Sequence, residues 1–269
     1  MDLITVDKDK CLKCGICTEI CPACILTMGE EGPECHFDRG CMSCGQCVAI
    51  CPMGALDNKY TPKEKQMPIT KPVLDPETAY HFLRSRRSVR NFKPEPPTEE
   101  IITQLLDVAR YAPTAGNTQG LNFIVIRDKE KIAQIAEACA NWMQDEIDAA
   151  TENKRYFLTV LRAYRERGQD IICRNAPCLI FAVARRLNIT AVSNAEQTWA
   201  YANLFAPTIG LGSTTAGFLQ ACGTAGYKPL YDILEVPGKF TICGALMVGY
   251  PKYKYKRMPE RQHLKVEFK

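Results

Sequence analysis

The chain has 269 residues, a formal net charge of +4 and 15 cysteines. Its composition is that of a folded globular protein, and no apolar run approaches bilayer length, so a membrane span is not expected. Residues 1–4 lack a basic segment followed by an apolar one, so we expect no secretory signal. The cysteines are spaced as metal ligands and not as a disulfide framework, so we expect a reducing cytoplasm.

Charge is distributed unevenly along the chain. Residues 1–60 carry four Lys and one Arg against five Asp and four Glu, a net charge of −4, so the remainder carries +8. A positive body is suited to an anionic cofactor or an acidic carrier protein. No dense stripe of Lys and Arg with interleaved aromatic residues is present, so nucleic acid is not an expected partner.

The first sixty residues contain one cysteine pattern written twice. Each copy has the spacing C-x2-C-x2-C-x3-C and is followed by proline. The runs are Cys11, Cys14, Cys17 and Cys21 with Pro22, and Cys41, Cys44, Cys47 and Cys51 with Pro52. This is the ligand run of a bacterial-type 4Fe-4S site. Cysteine pairs in C-x2-C spacing also bind zinc, but two complete runs ending in Cys-Pro favour two clusters.

Short extended segments precede the two runs at residues 4–6 and 35–37, and apolar pairs follow them at 25–26 and 55–56. This internal repeat resembles a two-cluster bacterial ferredoxin over about the first sixty residues. In that family the fourth cysteine of each run binds the other cluster. The resemblance therefore implies two ligand sets, Cys11, Cys14, Cys17 and Cys51, and Cys21, Cys41, Cys44 and Cys47.

Seven cysteines lie outside the two runs. Cys24 and Cys35 fall within the same segment, where we expect small buried residues. The other five lie in apolar surroundings and are expected to be inert core thiols. They are Cys139, Cys173, Cys178, Cys222 and Cys243.

Residues 59–75 contain Pro62, Pro68 and Pro72 among several lysines, with little apolar periodicity. Polar, proline-rich sequence of this kind is typical of a semi-rigid linker. The sequence therefore predicts a cluster domain at 1–58, a linker at 59–75 and a larger domain at 76–269.

The larger domain is predicted to be α+β. A helix is expected at 76–85 with Asp75 as its N-cap, and another at 98–111 capped by Thr98. Further helices are expected at 129–147, 153–167, 191–209 and 218–224, and strands at 123–126, 178–184 and 242–248. Because helices and strands do not alternate one for one, and no G-x-G-x-x-G follows a strand, a Rossmann sheet is not expected.

Two segments of this domain carry candidate binding groups. Arg86, Arg87 and Arg90, with Ser88, form a basic run whose forked donors suit phosphate, although such a run alone is also typical of a solvated face. Residues 112–119 then present two amides, Asn117 and Gln119, before a buried strand. An asparagine amide supplies both the donor and the acceptor that the edge of a flavin pyrimidine requires.

Together these segments resemble the FMN-dependent nitroreductase family, over about residues 75–269. The glycine-rich segment 210–218 and Arg257-Met258-Pro259 agree with that resemblance. It implies a nitroreductase-like fold, with a mixed sheet surrounded by helices, and FMN as cofactor. Implied phosphate contacts are Arg86, Ser88 and Arg257, assisted by Arg87; implied flavin contacts are Arg90, Asn117, Gln119 and the backbone of Thr215, Ala216 and Gly217. Arg90 is the candidate catalytic residue, because its charge would stabilise the reduced ring.

The resemblance also implies a homodimer that shares the FMN site, with the helix at 191–209 a candidate for its core. Electrons from reduced ferredoxin or flavodoxin would pass through the clusters to FMN and on to a small electron-poor acceptor such as a nitroaromatic or a quinone. Two alternatives stay open. NAD(P)H is the donor and the clusters serve as electron exit or storage, or the protein is a non-enzymatic electron carrier or redox sensor.

Overall fold

Two pairs of short strands and one four-stranded sheet organise the computed structural model, which describes residues 2–71, 74–152 and 154–269. The chain divides into two compact units. The first, which we call the cysteine unit, comprises Met1–Leu74 together with Ala115–Thr118. The second, the sheet unit, comprises Asp75–Thr114 and Gln119–Lys269.

The cysteine unit is built from two similar halves. Its strands are β1 (Ile4–Val6), β2 (Leu26–Met28), β3 (Pro33–Cys35) and β4 (Leu56–Asn58), and its helices are α1 (Ile16–Glu19) and α2 (Gln46–Ala49). Strand β1 pairs antiparallel with β4, and β2 pairs antiparallel with β3. Helix α2 and strand β4 follow α1 and β2 at the spacing of the cysteine repeat, so the internal repeat is a structural one.

The two cysteine runs follow the same backbone path. Lys13 and Ser43, each before the second cysteine of its run, have φ of 55° and 50°. Gly15 and Gly45, each after that cysteine, have φ of 83° and 69°. Glycine adopts this left-handed region freely, whereas lysine and serine incur a cost of about 1–2 kcal/mol each. A left-handed residue on each side of the cysteine turns the chain around the thiol before the helix begins.

Part of the expected linker is tied to the cysteine unit. Lys63 N donates to Asp57 Oδ1 at 2.8 Å, and Lys63 Nζ donates to the Gly54 carbonyl at 2.8 Å. Pro72, one of the three linker prolines, lies outside the described residues. The domain bounds 1–58 and 76–269 stay a prediction.

The cysteines outside the runs fall into two groups. The five in the sheet unit are buried, as expected. The expectation of burial is wrong for Cys24, which is exposed, and Cys35 is only half-buried. Cys24 has φ of 51° and stands at the same place after its run as Gly54, with φ of 57°, so it lies in a tight surface turn.

The sheet unit contains seven helices and four strands among its described residues. The helices are α3 (Pro76–Ser85), α4 (Glu99–Ala109), α5 (Lys129–Asp148), α6 (Lys154–Leu161), α7 (Ala191–Phe205), α8 (Gly217–Thr224) and α9 (Lys228–Ile233). The strands are β5 (Asn122–Ile126), β6 (Cys178–Arg185), β7 (Gly212–Thr215) and β8 (Phe240–Gly249), in the order β5-β6-β8-β7. The α+β class is confirmed.

The sheet differs in one respect from the mixed sheet that was expected. Its three strand pairings among the described residues are all antiparallel. Two helices, α5 and α6, connect β5 to β6, and an even number of helices returns the chain to the end of the sheet that it left. Consecutive strands joined in this way run in opposite directions.

Most of the expected helices and strands are found, and their ends have local causes. Asp75 and Thr98 cap α3 and α4 by accepting from Thr78 N and Ile101 N at 3.0 and 3.4 Å. Helix α7 ends at Phe205, before a 3₁₀ turn that contains Pro207, which has no N–H to donate. Helix α6 gives way to a π turn at Arg162–Glu166, and Asn153 lies outside the described residues. Strand β7 and helix α9 were not expected.

Strand β6 separates two apolar cores. Leu179, Phe181 and Val183 pack into one core, and Ile180 and its alternate neighbours pack into the other. Since successive side chains of a strand point to opposite faces, both faces of the sheet are covered. In the part of the chain that the structure describes, no helix is long and apolar enough to cross a membrane.

Candidate functional site

Two cavities in the cysteine unit are each lined by four cysteines. One is lined by Cys11, Cys14, Cys17 and Cys51, and the other by Cys21, Cys41, Cys44 and Cys47. Each quartet takes three thiols from one run and the fourth from the other, as the ferredoxin resemblance implied. No three His, Cys, Asp or Glu side chains among the described residues are placed to hold a single metal ion. The four thiols of each quartet surround a cavity, as the separate irons of a cluster require.

Hydrogen-bond donors face two of these sulfur atoms. Cys41 Sγ accepts from Ser43 N at 3.4 Å and from Asn58 Nδ2 at 3.8 Å. Cys51 Sγ accepts from Ala55 N at 3.3 Å. Donors of this kind stabilise the electron-rich sulfur of a metal-bound thiolate, so the residues present fit a thiolate-bound cluster.

The pKa values of two of the ligand thiols are shifted in opposite directions. Burial acts to raise the pKa of the Cys51 thiol, but backbone hydrogen bonds, from Ala55 first, outweigh it and the pKa is lowered. Burial, then the charge of Cys44, raises the pKa of the Cys47 thiol to about 11. Because a thiol must lose its proton to bind metal, Cys47 depends on the metal to do so.

In the sheet unit, the backbone of the basic run is bonded to β7 and to the residue just after β8. Val89 N donates to the Ser213 carbonyl of β7 at 3.1 Å, and Lys93 N donates to the Tyr250 carbonyl just after β8 at 2.8 Å. A Cβ at Gly212 would lie 2.7 Å from the Val89 side chain, so only glycine allows this close approach. These contacts fix the backbone that presents Arg86, Ser88 and Arg90.

The predicted phosphate residues Arg86 and Ser88 are adjacent, since Arg86 Nη1 donates to Ser88 Oγ at 3.4 Å. Burial lowers the pKa of Arg86, and the charges of Arg87, Arg261 and Arg90 lower it further. Cations that repel one another in this way are stabilised by an anion bound among them. The cluster of Arg86, Ser88 and the neighbouring arginines therefore fits a bound phosphate.

Arg87 takes a different part in the site. Its two Nη groups donate to the backbone carbonyls of Arg84 and Arg86, at 2.8 and 2.7 Å, so it holds the end of α3. Its Nε is buried without a hydrogen-bond partner among the described residues. Two of the three guanidinium nitrogens of Arg87 are therefore used on the backbone, and its contact with phosphate stays a prediction.

Sequence reasoning missed Arg261. The resemblance implied Arg257 as a phosphate contact, and that contact stays a prediction. Arg257 and Arg261 are both exposed, and the charge of Arg261, after that of Arg87, acts on Arg86. An ion pair between Arg84 and Glu260 holds this part of the C-terminal segment against α3. No motif marks Arg261, because its place depends on that tertiary contact.

A cavity of about 440 Å³ brings Arg90 together with Thr215 and Gly217. Its other lining residues include Tyr156, Ile171, Arg174, Phe218 and Met247, none of which the sequence singled out. A Cβ at Gly217 would meet nothing within 4 Å, and Ala216 is buried, with its N–H bonded to the Ala245 carbonyl at 2.9 Å. The volume lies in the range of small-molecule and cofactor sites.

The side-chain amides of Asn117 and Gln119, in the loop at residues 112–119, lie in different surroundings. Gly116, Asn117 and Gln119 have φ of 58°, 51° and 46°, so the loop is a tight, partly left-handed turn. Asn117 Nδ2 donates to the carbonyls of Met42 and Ser43 at 2.9 and 3.0 Å, within the cysteine unit. The Gln119 side chain is exposed. The flavin contacts of both amides stay predictions.

Residues 83–250 match the nitroreductase family, and residues 10–56 match a 4Fe-4S dicluster domain. The first match covers more than half of the chain. The chain belongs to the nitroreductase family.

Relatives and solved structures agree with this assignment. The chain is 28% identical to iodotyrosine deiodinase 1 of Rattus norvegicus over 64% of this chain and 61% of that protein. It is 24% identical to the FMN reductase [NAD(P)H] of Bacillus subtilis over 66% of this chain and 67% of that protein. An FMN-bound nitroreductase structure from Desulfitobacterium hafniense superposes with a TM-score of 0.56 at 20% identity, over 72% of this chain and 100% of that one. At that identity the structural likeness shows the fold alone.

Proposed function

We propose that the protein is an iron–sulfur flavoprotein oxidoreductase. It passes electrons from reduced ferredoxin or flavodoxin through two 4Fe-4S clusters to FMN, and on to a small electron-poor acceptor such as a nitroaromatic or a quinone. One observation carries the proposal. The eight cysteines of the two runs form two quartets, each with three thiols from one run and one from the other, in a chain whose larger domain has the nitroreductase fold.

The chemistry of the two cofactors explains why one chain would hold both. Iron–sulfur clusters transfer single electrons, and a bound flavin collects two and delivers them to one substrate. The chain's own residues hold and tune these groups. The quartets supply thiolates, and donors such as Ala55 N and Asn58 Nδ2 act on the sulfur atoms and thereby on the cluster potential.

In the sheet unit, Arg86 and Ser88, with Arg257 or Arg261 of the C-terminal segment, would bind the FMN phosphate through charge-assisted hydrogen bonds. Arg90 lines the 440 Å³ cavity, where its charge would stabilise negative charge on the flavin ring. The open space over Gly217 allows the ring to approach the backbone of Thr215, Ala216 and Gly217. The D. hafniense structure, which has bound FMN, supports the choice of cofactor.

A homodimer is part of the proposal. Helix α7 is apolar around much of its surface, and it leaves Val192 and Tyr201 40% and 38% exposed, although many of its other apolar residues are buried. A second copy would cover these side chains. Sedimentation velocity of the FMN-loaded protein at several concentrations tests this, and a monomer at all concentrations would contradict it.

The central test compares electron donors. Anaerobic protein is assayed with reduced ferredoxin, reduced flavodoxin, NADH and NADPH, against a nitroaromatic, a quinone and a halogenated phenol. The phenol is included because the rat relative is an iodotyrosine deiodinase. We expect turnover with ferredoxin or flavodoxin, and its loss in Cys44→Ala.

The B. subtilis relative, an FMN reductase that is named for NAD(P)H, favours the alternative donor. Rapid FMN reduction by NAD(P)H in both Cys11→Ala and Cys41→Ala would overturn the route through the clusters. Absence of turnover with every donor and acceptor, in protein that contains eight irons and one FMN per chain, would instead favour a carrier or sensor.

A further inference from the structure

Asn117 binds the loop between two ligands of one quartet. Its Nδ2 donates one hydrogen bond to the Met42 carbonyl, at 2.9 Å, and one to the Ser43 carbonyl, at 3.0 Å. These residues are the two between Cys41 and Cys44. Both hydrogens of the amide are therefore used on the backbone of a single ligand loop.

The first of these bonds continues into a bond to sulfur. The Met42 carbonyl and the Ser43 N–H belong to the same peptide group, and Ser43 N donates to Cys41 Sγ at 3.4 Å. A donor to the carbonyl of a peptide polarises that peptide and strengthens its N–H as a donor. Asn117 thus acts on Cys41 Sγ through one intervening peptide, and its second bond acts on the peptide that leads into Cys44.

We propose that Asn117 is a positioning residue for the cluster bound by Cys21, Cys41, Cys44 and Cys47, and that it raises the reduction potential of that cluster. This rests on the proposed function only in requiring that both clusters are bound. Hydrogen bonds to cluster sulfur stabilise the reduced form, which carries more negative charge. Anything that strengthens the Ser43 N–H donor therefore favours reduction of this cluster.

The other quartet is a natural comparison. Lys13 has the same left-handed backbone as Ser43, but its Nζ hydrogen-bonds to the Glu30 carbonyl, away from the ligand loop. Across residues 2–71, 74–152 and 154–269, no side-chain amide donates to the carbonyls of Leu12 or Lys13. Asn58, whose Nδ2 reaches Cys41 Sγ at 3.8 Å, also acts on the second quartet. The first quartet has a sulfur donor of its own, Ala55 N to Cys51 Sγ at 3.3 Å, so the Asn117 contact with the ligand loop is what sets the second quartet apart, and a change at Asn117 should move the second midpoint alone.

The test is an anaerobic redox titration of the complete protein, followed by visible absorption and EPR, for Asn117→Ala and Asn117→Asp. We expect one of the two cluster midpoints to fall and the other to stay. For Asn117→Ala the equilibrium constant for reduction should drop about tenfold, which is 59 mV for one electron. Asn117→Asp should lower it further, because it removes both donors and adds a negative charge.

One further variant identifies the cluster whose midpoint potential moves, and a second serves as a control. Asn58→Asp keeps the shape of the side chain but removes the donor to Cys41 Sγ, so it should lower the same midpoint. Asn122→Ala changes an exposed asparagine at the start of β5 and should leave both midpoints where they are.

Iron and FMN content separate a failure of this inference from a failure of the proposed function. Fewer than eight irons per chain in the unaltered protein would contradict the proposed function. With eight irons present, unchanged midpoints, or an equal shift of both, would overturn the role of Asn117. Loss of FMN in Asn117→Ala with both midpoints unchanged would also overturn it. Loss of four irons with FMN retained would support it, since only one cluster depends on this loop.

Discussion

The two units of this protein are stabilised by different means. Among its described residues the cysteine unit buries few apolar side chains, which are Leu3, Ile25, Leu26, Val48, Ala55 and Leu56. The sheet unit has two extensive cores, in which side chains such as Leu105 and Phe181 are fully buried. A chain segment that buries so little apolar surface needs metal or crosslinks to stay folded. We therefore expect the cysteine unit to depend on its clusters for its structure, and the sheet unit to stay folded without its flavin.

Removal of iron should have the largest effect on the difference between the two units. If the protein is treated anaerobically with an oxidant and a chelator, residues 2–71 should lose their protection from hydrogen exchange, because ligand binding is part of their folding free energy. The sheet unit should keep its protection. Exchange measured by mass spectrometry gives both results at once. Retained protection of residues 2–71 in iron-free protein would show that the small core suffices.

The cores themselves provide the next test. Leu105→Ala should lower the free energy of unfolding of the sheet unit by about 2–5 kcal/mol, because it leaves a cavity at a fully buried site. Both tryptophans, Trp142 and Trp199, lie in this unit, so their fluorescence during urea unfolding reports on it alone. The matched variant Leu26→Ala, in the cysteine unit, should leave that transition unchanged. A similar shift in both variants would mean that the two units unfold together.

The flavin site should behave as a preformed site. Arg86→Ala should weaken FMN binding by about 10- to 100-fold, corresponding to the roughly 1.5–3 kcal/mol of a hydrogen bond to a charged group. It should not change the urea midpoint of the flavin-free protein. Arg261→Ala should weaken binding more than Arg257→Ala does, since the charge of Arg261 acts on Arg86. Titration of flavin-free protein with FMN measures all three, and the reverse order would restore Arg257 as the phosphate ligand.

The parts of this site that were predictable from sequence are those set by local spacing. The cysteine runs indicated the eight ligands, whereas their division into two sets was implied by the ferredoxin resemblance. Asp75 marked the start of a helix because a cap acts over three residues. Arg261 and the partner of Asn117 were not predictable, because contacts between distant segments determine them. Strand β7 was missed because its sequence, Gly-Ser-Thr-Thr, has no apolar alternation, and it is a strand through its pairing with β8.

The smallest effect should distinguish the two cysteine runs from each other. Gly15→Ala and Gly45→Ala each place a side chain in the left-handed region, at a cost of about 1 kcal/mol. At Gly15 the new Cβ would meet only Thr18 Oγ1, at 4.0 Å, but at Gly45 it would lie 3.1 Å from Gln66 Nε2 and 3.2 Å from Thr61 Cβ. Gly45→Ala should therefore release iron to a chelator faster than Gly15→Ala, and both faster than the unaltered protein. Equal rates for the two variants would mean that residues 61–66 move aside freely and that their packing contributes little to the second cluster.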